Sequence, residues 1–184
     1  MPAVAWAAGC TSDMGPLREL LATSRRQALE FFVQRLKDVS GPSVDQQELL
    51  YNASVLAHYT QVSTHARLEA PAPAHLGVVF DQFVVDTTLA HDGPMLETAG
   101  AQCLVLTGFF EDQMRRRHSI SWYAQLGAAF FRRAAAQDPE PRRAQLFDTL
   151  SRRFEAWRRR QAQLARDLRD QPFLLIRHND ATSL

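Results

Sequence analysis

Residues 142–169 read RRAQLFDTLSRRFEAWRRRQAQLARDLR. Successive residues of an α-helix turn by about 100°. On that projection Leu146, Phe147, Leu150, Phe154, Trp157, Leu164 and Leu168 fall in one stripe. Within it Phe147, Leu150, Phe154, Trp157, Gln161, Leu164 and Leu168 alternate steps of three and four, a heptad seam with a single polar member, Gln161. Arginines fill most of the remaining circumference. The segment therefore reads as one helix that buries its seam and leaves its arginines in water.

The same spacing of apolar residues recurs upstream, and no segment carries the alternation of a half-buried strand. It predicts helices at about 16–39, 43–65, 75–89, 95–117 and 119–136, ahead of the one at 142–169. Gly41-Pro42, Pro71 with Pro73, Asp92-Gly93-Pro94 and Asp138-Pro139-Glu140-Pro141 punctuate them, because proline and glycine suit turns and interrupt helix interiors. Ser43 and Gln46 have the spacing of a capping box for the second helix. The expected fold is an all-α, single-domain bundle of about six helices over residues 16–176. Residues 1–15 are expected to be disordered or loosely ordered, and 177–184 to form a flexible tail.

Two segments lack charge, one between Glu48 and Arg67 and the other between Glu97 and Glu111. A helix without a charged face is normally covered on most sides, which places the second and fourth helices at the centre. Gly100 and Gly108 then permit close approach of a neighbour. The central helices also carry uncharged polar groups, and an unpaired buried one costs roughly 1–3 kcal/mol. Asn52, His58, Tyr59, His65, Gln102 and Thr107 are accordingly the candidate ligand-binding residues, with His58 and Tyr59 expected at least half buried and hydrogen-bonded. Either these groups satisfy one another or they line a small-molecule pocket.

Of the 184 residues 46% are hydrophobic and 22% charged, ordinary usage for a globular domain that needs no metal or disulfide to fold. Cys10 and Cys103 are far apart and frame neither a disulfide network nor a zinc site. Cys103 sits in an apolar run, where a thiol packs as a small hydrophobe. His58 and His65 stand too far apart on one helix to share an ion, so neither metal nor cofactor is expected. Glycine-rich phosphate loops, nucleophile elbows and zinc-protease motifs are not found. The run ending at Gly9-Cys10 resembles a lipoprotein cleavage site but lacks a basic lead and an apolar stretch of adequate length. With no apolar run near the roughly 18 residues of a membrane span, a soluble, cytoplasmic protein is expected.

Charge divides the chain. Through residue 112 there are six basic residues against thirteen acids, and beyond it fifteen arginines against seven. Such polarity predicts either an acidic partner for the C-terminal half or attraction between the halves. Arginine clusters at 115–117, 132–133, 142–143, 152–153 and 158–160 invite a nucleic-acid reading, yet on the last helix they point in every direction outside the stripe. Nucleic-acid contact calls for one basic surface, so it is the weaker expectation.

Gly108-Phe109-Phe110 followed by Trp122-Tyr123-Ala124-Gln125-Leu126-Gly127-Ala128-Ala129-Phe130 is similar to a motif of small uncharacterised all-helical proteins of proteobacteria. The likeness spans about a quarter of the chain and departs from the pattern at Gln102-Cys103. It implies a fold and no activity. Read physically, Gly127 lets the fifth helix approach the fourth, with Trp122, Leu126 and Phe130 as its buried ridge. The functional expectation is a non-enzymatic interaction or regulatory protein with a protein partner or a second copy of itself. The alternative is a small-molecule-binding or catalytic bundle centred on His58.

Overall fold

The computed structural model describes residues 25–65, 92–116 and 118–170. In chain order its helices are α1 (Arg25–Ser40), α2 (Gln46–His65), α3 (Gly93–Thr107), α4 (Glu111–Met114), α5 (Ile120–Gln137), α6 (Pro141–Arg152) and α7 (Phe154–Asp170). There is no strand among the described residues. One continuous hydrophobic core joins the helices, so the architecture is an all-α single-domain bundle. The expected helix at 75–89, the loose N-terminus and the C-terminal tail lie outside the described residues.

Local chemistry accounts for the boundaries. Gly41 ends α1 with a φ of 78°, the left-handed conformation that glycine adopts without a Cβ penalty. The expected capping box gives way to a single cap at α2, where Asp45 Oδ1 accepts from the backbone N–H groups of Gln47 and Glu48. Asp92 caps α3 by accepting from Met95 N–H, with Pro94 in the first turn. Ser119 caps α5 in the same way, accepting from Trp122 N–H.

The expected fourth helix is broken. α3 stops at Thr107, and residues 108–110 turn before the single turn of α4. The break tucks Phe109 and Phe110 together into the core, edge to face at 5.2 Å. Gly108 is where α3 meets α7, since a Cβ there would lie 3.0 Å from Arg158 O and Gln161 Cβ. The expected sixth helix is interrupted at Arg153, although the bonds Arg153 N–H to Thr149 O and Trp157 N–H to Arg153 O carry the ladder across. Its seam is as read: Phe147, Leu150, Phe154, Trp157, Gln161, Leu164 and Leu168 are all buried.

α3 packs most extensively with α5, α5 with α6, and α1 with α2, while α7 touches α1, α3 and α5. α3 is central, as its lack of charge implies. α2 is not. It buries Leu49, Asn52, Ala53, Leu56 and Ala57 but leaves Leu50, Ser54 and His58, one turn apart, in solvent. Absence of charge on α2 thus reflects an uncharged outer stripe rather than enclosure. On α5 the buried ridge is Tyr123, Ala124, Gly127, Phe130, Phe131 and Ala134; Trp122 is 41% exposed, contrary to expectation.

Gly127 performs the role its position suggests. A Cβ there would sit 2.5 Å from Phe154 Cζ and 2.7 Å from Cys103 Cβ, closer than atoms pack. Alanine favours a helix interior over glycine by at most about 1 kcal/mol. Forcing a methyl between α3 and α7 costs roughly 1–3 kcal/mol, so we expect Gly127→Ala to be net destabilising in denaturant melts. A more stable variant would show that the contact relaxes freely.

Candidate functional site

Polar groups occur in two settings, one closed and one open. The closed setting is a ladder between α2 and α7. Glu48 and Asn52, one turn apart on α2, face Trp157 and Gln161, one turn apart on α7. Trp157 Nε1–H donates to Glu48 Oε2, and Arg153 Nη1–H donates to Glu48 Oε1 at 2.6 Å. Gln161 Nε2–H donates to Asn52 Oδ1 at 3.0 Å, and Asn52 Nδ2–H donates to Glu48 O at 2.8 Å. Glu48, Asn52, Trp157 and Gln161 are all buried. Arg160 lies over the Trp157 ring at 4.6 Å, and burial, with Arg153 nearby, lowers its pKa. Two buried atoms in this setting, Gln161 Oε1 and Arg160 Nη1, have no hydrogen-bond partner. Every other rung is closed, and the rungs set the register of α7 on α2.

The open setting is a cleft of about 790 Å³ between the first half of α5 and the α6–α7 junction. One wall is Ile120, Ser121, Ala124, Gln125 and Ala128; the other carries Arg152, Phe154, Glu155, Arg158 and Arg159, and Glu111, Arg115 and His118 close one end. Four guanidinium groups thus meet two carboxylates. Glu111 is the anchor of this end. It is buried, receives Arg115 at 2.5 Å and Arg158 at 3.1 Å, and has Arg166 at 3.8 Å. Arg158 also grips Glu155 and donates to Thr107 O at 3.1 Å. A cation on the last carbonyls of α3 is favoured by the helix dipole. Arg158 is therefore a packed structural residue, against the expectation that it stands in water. Arg159 is exposed as expected.

Burial alone raises the pKa of Glu111, but hydrogen bonds from Arg115 and Arg158 outweigh it and hold the carboxyl below its usual value. A carboxyl whose pKa is lowered by folding stabilises the fold above its unfolded-state pKa, about 4.3 for glutamate, and loses that contribution as pH falls through the folded value. Wild type and Glu111→Gln should accordingly differ in stability at neutral pH and converge as the pH falls below the usual glutamate range and through the lowered folded-state value. A difference that persists undiminished in acid would reject this ionic role.

Of the six sequence-derived candidates, the five whose side chains are described do not line the cleft. Asn52 belongs to the closed ladder. Thr107 is buried and donates to Cys103 O at 2.6 Å. Tyr59 is half-buried, its ring against Phe110 at 5.7 Å, and burial pushes its pKa up to about 12. Gln102 is half-buried. His58 is exposed, which corrects the expectation of burial. The His65 side chain falls outside those described. Sequence reasoning missed Glu48, Glu111, Arg153 and Arg158, each of which has at least one partner far along the chain. A clue was present for Glu48, which shares a face with Asn52 and with buried Leu49 and Leu56.

Cys103 packs in the core, where burial pushes its thiol up to about 12; the reactive thiolate is therefore scarce near neutrality. Among the described residues no group of histidine, cysteine and carboxylate side chains is placed to hold a metal, and no helix is long and apolar enough to cross a membrane. No family model, curated protein or solved structure matches the chain.

Proposed function

We propose that this chain is a non-enzymatic helical interaction protein of the cytoplasm, regulatory in effect, which docks a protein partner at the cleft between α5 and the α6–α7 junction. The supporting observation is the contrast between its two polar settings. Inside, the polar groups of the α2–α7 ladder bond mainly to one another, while the cleft is open, charged and walled by α5, α6 and α7. Trp122, on α5 beside the cleft-lining Ser121 but outside the lining itself, is 41% exposed and edge-on to Tyr123 at 4.7 Å, and tryptophan, tyrosine and arginine are enriched where interfaces bind tightly. The reading centred on His58 has less support, because that residue is exposed and does not line the cleft.

The charge division supports this reading over a nucleic-acid one. Arg143 pairs with Glu97 at 2.6 Å, Arg153 with Glu48, Arg158 with Glu111, and Arg169 with Asp112 at 2.8 Å. Part of the basic half thus answers the acidic half of the same molecule, as the charge division of the sequence suggests, and these arginines are spent within the fold rather than gathered on one basic surface.

The test is site-specific photo-crosslinking in cells. A photoreactive residue at Gln125, on the cleft wall, should give one discrete protein adduct. The same probe at Ala136, exposed at the far end of α5, should give none. Adducts absent at residue 125, or equal at both positions, would reject docking at the cleft.

A further inference from the structure

We propose that the occupant of the cleft is an acidic peptide segment of the partner, its Asp or Glu carboxylates received by Arg115, Arg152 and Arg159; this rests on the docking reading above and names its chemistry. The three guanidiniums line one continuous cleft and are exposed, with side-chain accessibilities of 66%, 69% and 74%. Each spends one nitrogen internally. Arg115 uses Nη2 on Glu111, Arg152 uses Nη2 on Asp148, and Arg159 uses Nε on Glu155. Because Glu155 takes Nε of Arg159, the outer pair of nitrogens of that guanidinium faces away from the ion pair, the fork that accepts a carboxylate bidentately. The internal carboxylates hold the arginines in place while engaging one nitrogen of each.

Neighbouring features favour the same sign of charge. Ile120 and Ser121, both on the cleft wall, are the first residues of α5, and N–H groups in a first helical turn have no intrahelical acceptor. The 18-residue α5 adds the positive end of its dipole. Arg158, tied to Glu155, Glu111 and Thr107 O, fixes the cleft floor and is not itself a donor to the ligand. A lone ion would not fill the cleft. About 790 Å³ is the volume of a sizeable ligand site, and Ala124, Ala128 and Phe154 on the walls suit the aliphatic stems of a peptide.

The experiment measures fluorescence anisotropy of a labelled octa-glutamate peptide with the full chain, and with octa-lysine in parallel. Octa-glutamate should bind and octa-lysine should not, and binding should weaken as salt is raised. Arg152→Gln with Arg159→Gln should weaken it at least about fivefold, the combined worth of two exposed ion pairs. Arg132→Gln with Arg133→Gln removes the same charge from exposed positions outside the cleft and should change binding less than about twofold. Equal loss in both double variants, or no loss in the first, overturns the proposal. So does displacement of the peptide by inorganic phosphate at a concentration where equal ionic strength of chloride has no effect, which would mark a free-anion site. Circular dichroism excludes misfolding, and Arg159→Gln alone supplies a milder variant. A discrete crosslink at Gln125 together with no octa-glutamate binding would refute the acidic occupant while leaving docking intact; loss of both would refute both.

Discussion

Trp157→Ala lowers the stability of the fold by about 3–5 kcal/mol, the usual cost of truncating a fully buried aromatic ring. The ring is wholly inaccessible and lies in the seam of α7 between Phe154 and Gln161. Two losses combine: the cavity left by the indole, and the N–H donated to Glu48. Trp157→Phe separates them, since it keeps most of the packing and removes the donor, and it should cost about 1–3 kcal/mol for the under-satisfied carboxylate. Arg159→Ala, one helical step from the seam on the wet side, should move stability by less than about 0.5 kcal/mol. Urea melts read all three. A Trp157→Ala protein as stable as wild type would mean that α7 does not pack by this seam.

Glu48→Ala is the second large effect, at about 2–4 kcal/mol. Breaking a buried ion pair by deleting one partner costs roughly 3–5 kcal/mol when the other charge stays buried. Here the partner Arg153 is 44% exposed and can turn to water, which reduces the charge penalty. The indole N–H cannot, and an orphaned buried donor adds about 1–3 kcal/mol. A double-mutant cycle with Trp157→Phe should show strong coupling, because the two side chains share one bond. Additive losses would show that Glu48 acts through Arg153 alone.

A run of 28 residues was enough to identify the buried seam that α6 and α7 share. Period alone put Phe147, Leu150, Phe154, Trp157, Gln161, Leu164 and Leu168 on one line, and each is buried. Even Gln161 was correctly placed, since a seam position is buried whatever residue occupies it. Gly127 was legible as a close approach for a similar reason: a glycine on an otherwise apolar face leaves room for a neighbour.

What sequence determined by itself depends on residues within a few turns of one another: the helical class, the buried seam that runs through α6 and α7, the turns at Gly41 and Asp138, and the packing of Cys103. What only the tertiary structure decided depends on which distant faces meet. Lack of charge could not tell the enclosed α3 from α2, because both read alike until neighbours cover one and leave His58 of the other in water. Glu48 gains its role from Trp157, 109 positions away, and the cleft arises from residues of α4, α5, α6 and α7 that share no local pattern. Helix formation is governed by short-range periodicity, whereas ion pairs and clefts are made by packing over long sequence separations, and a linear pattern carries no record of that packing.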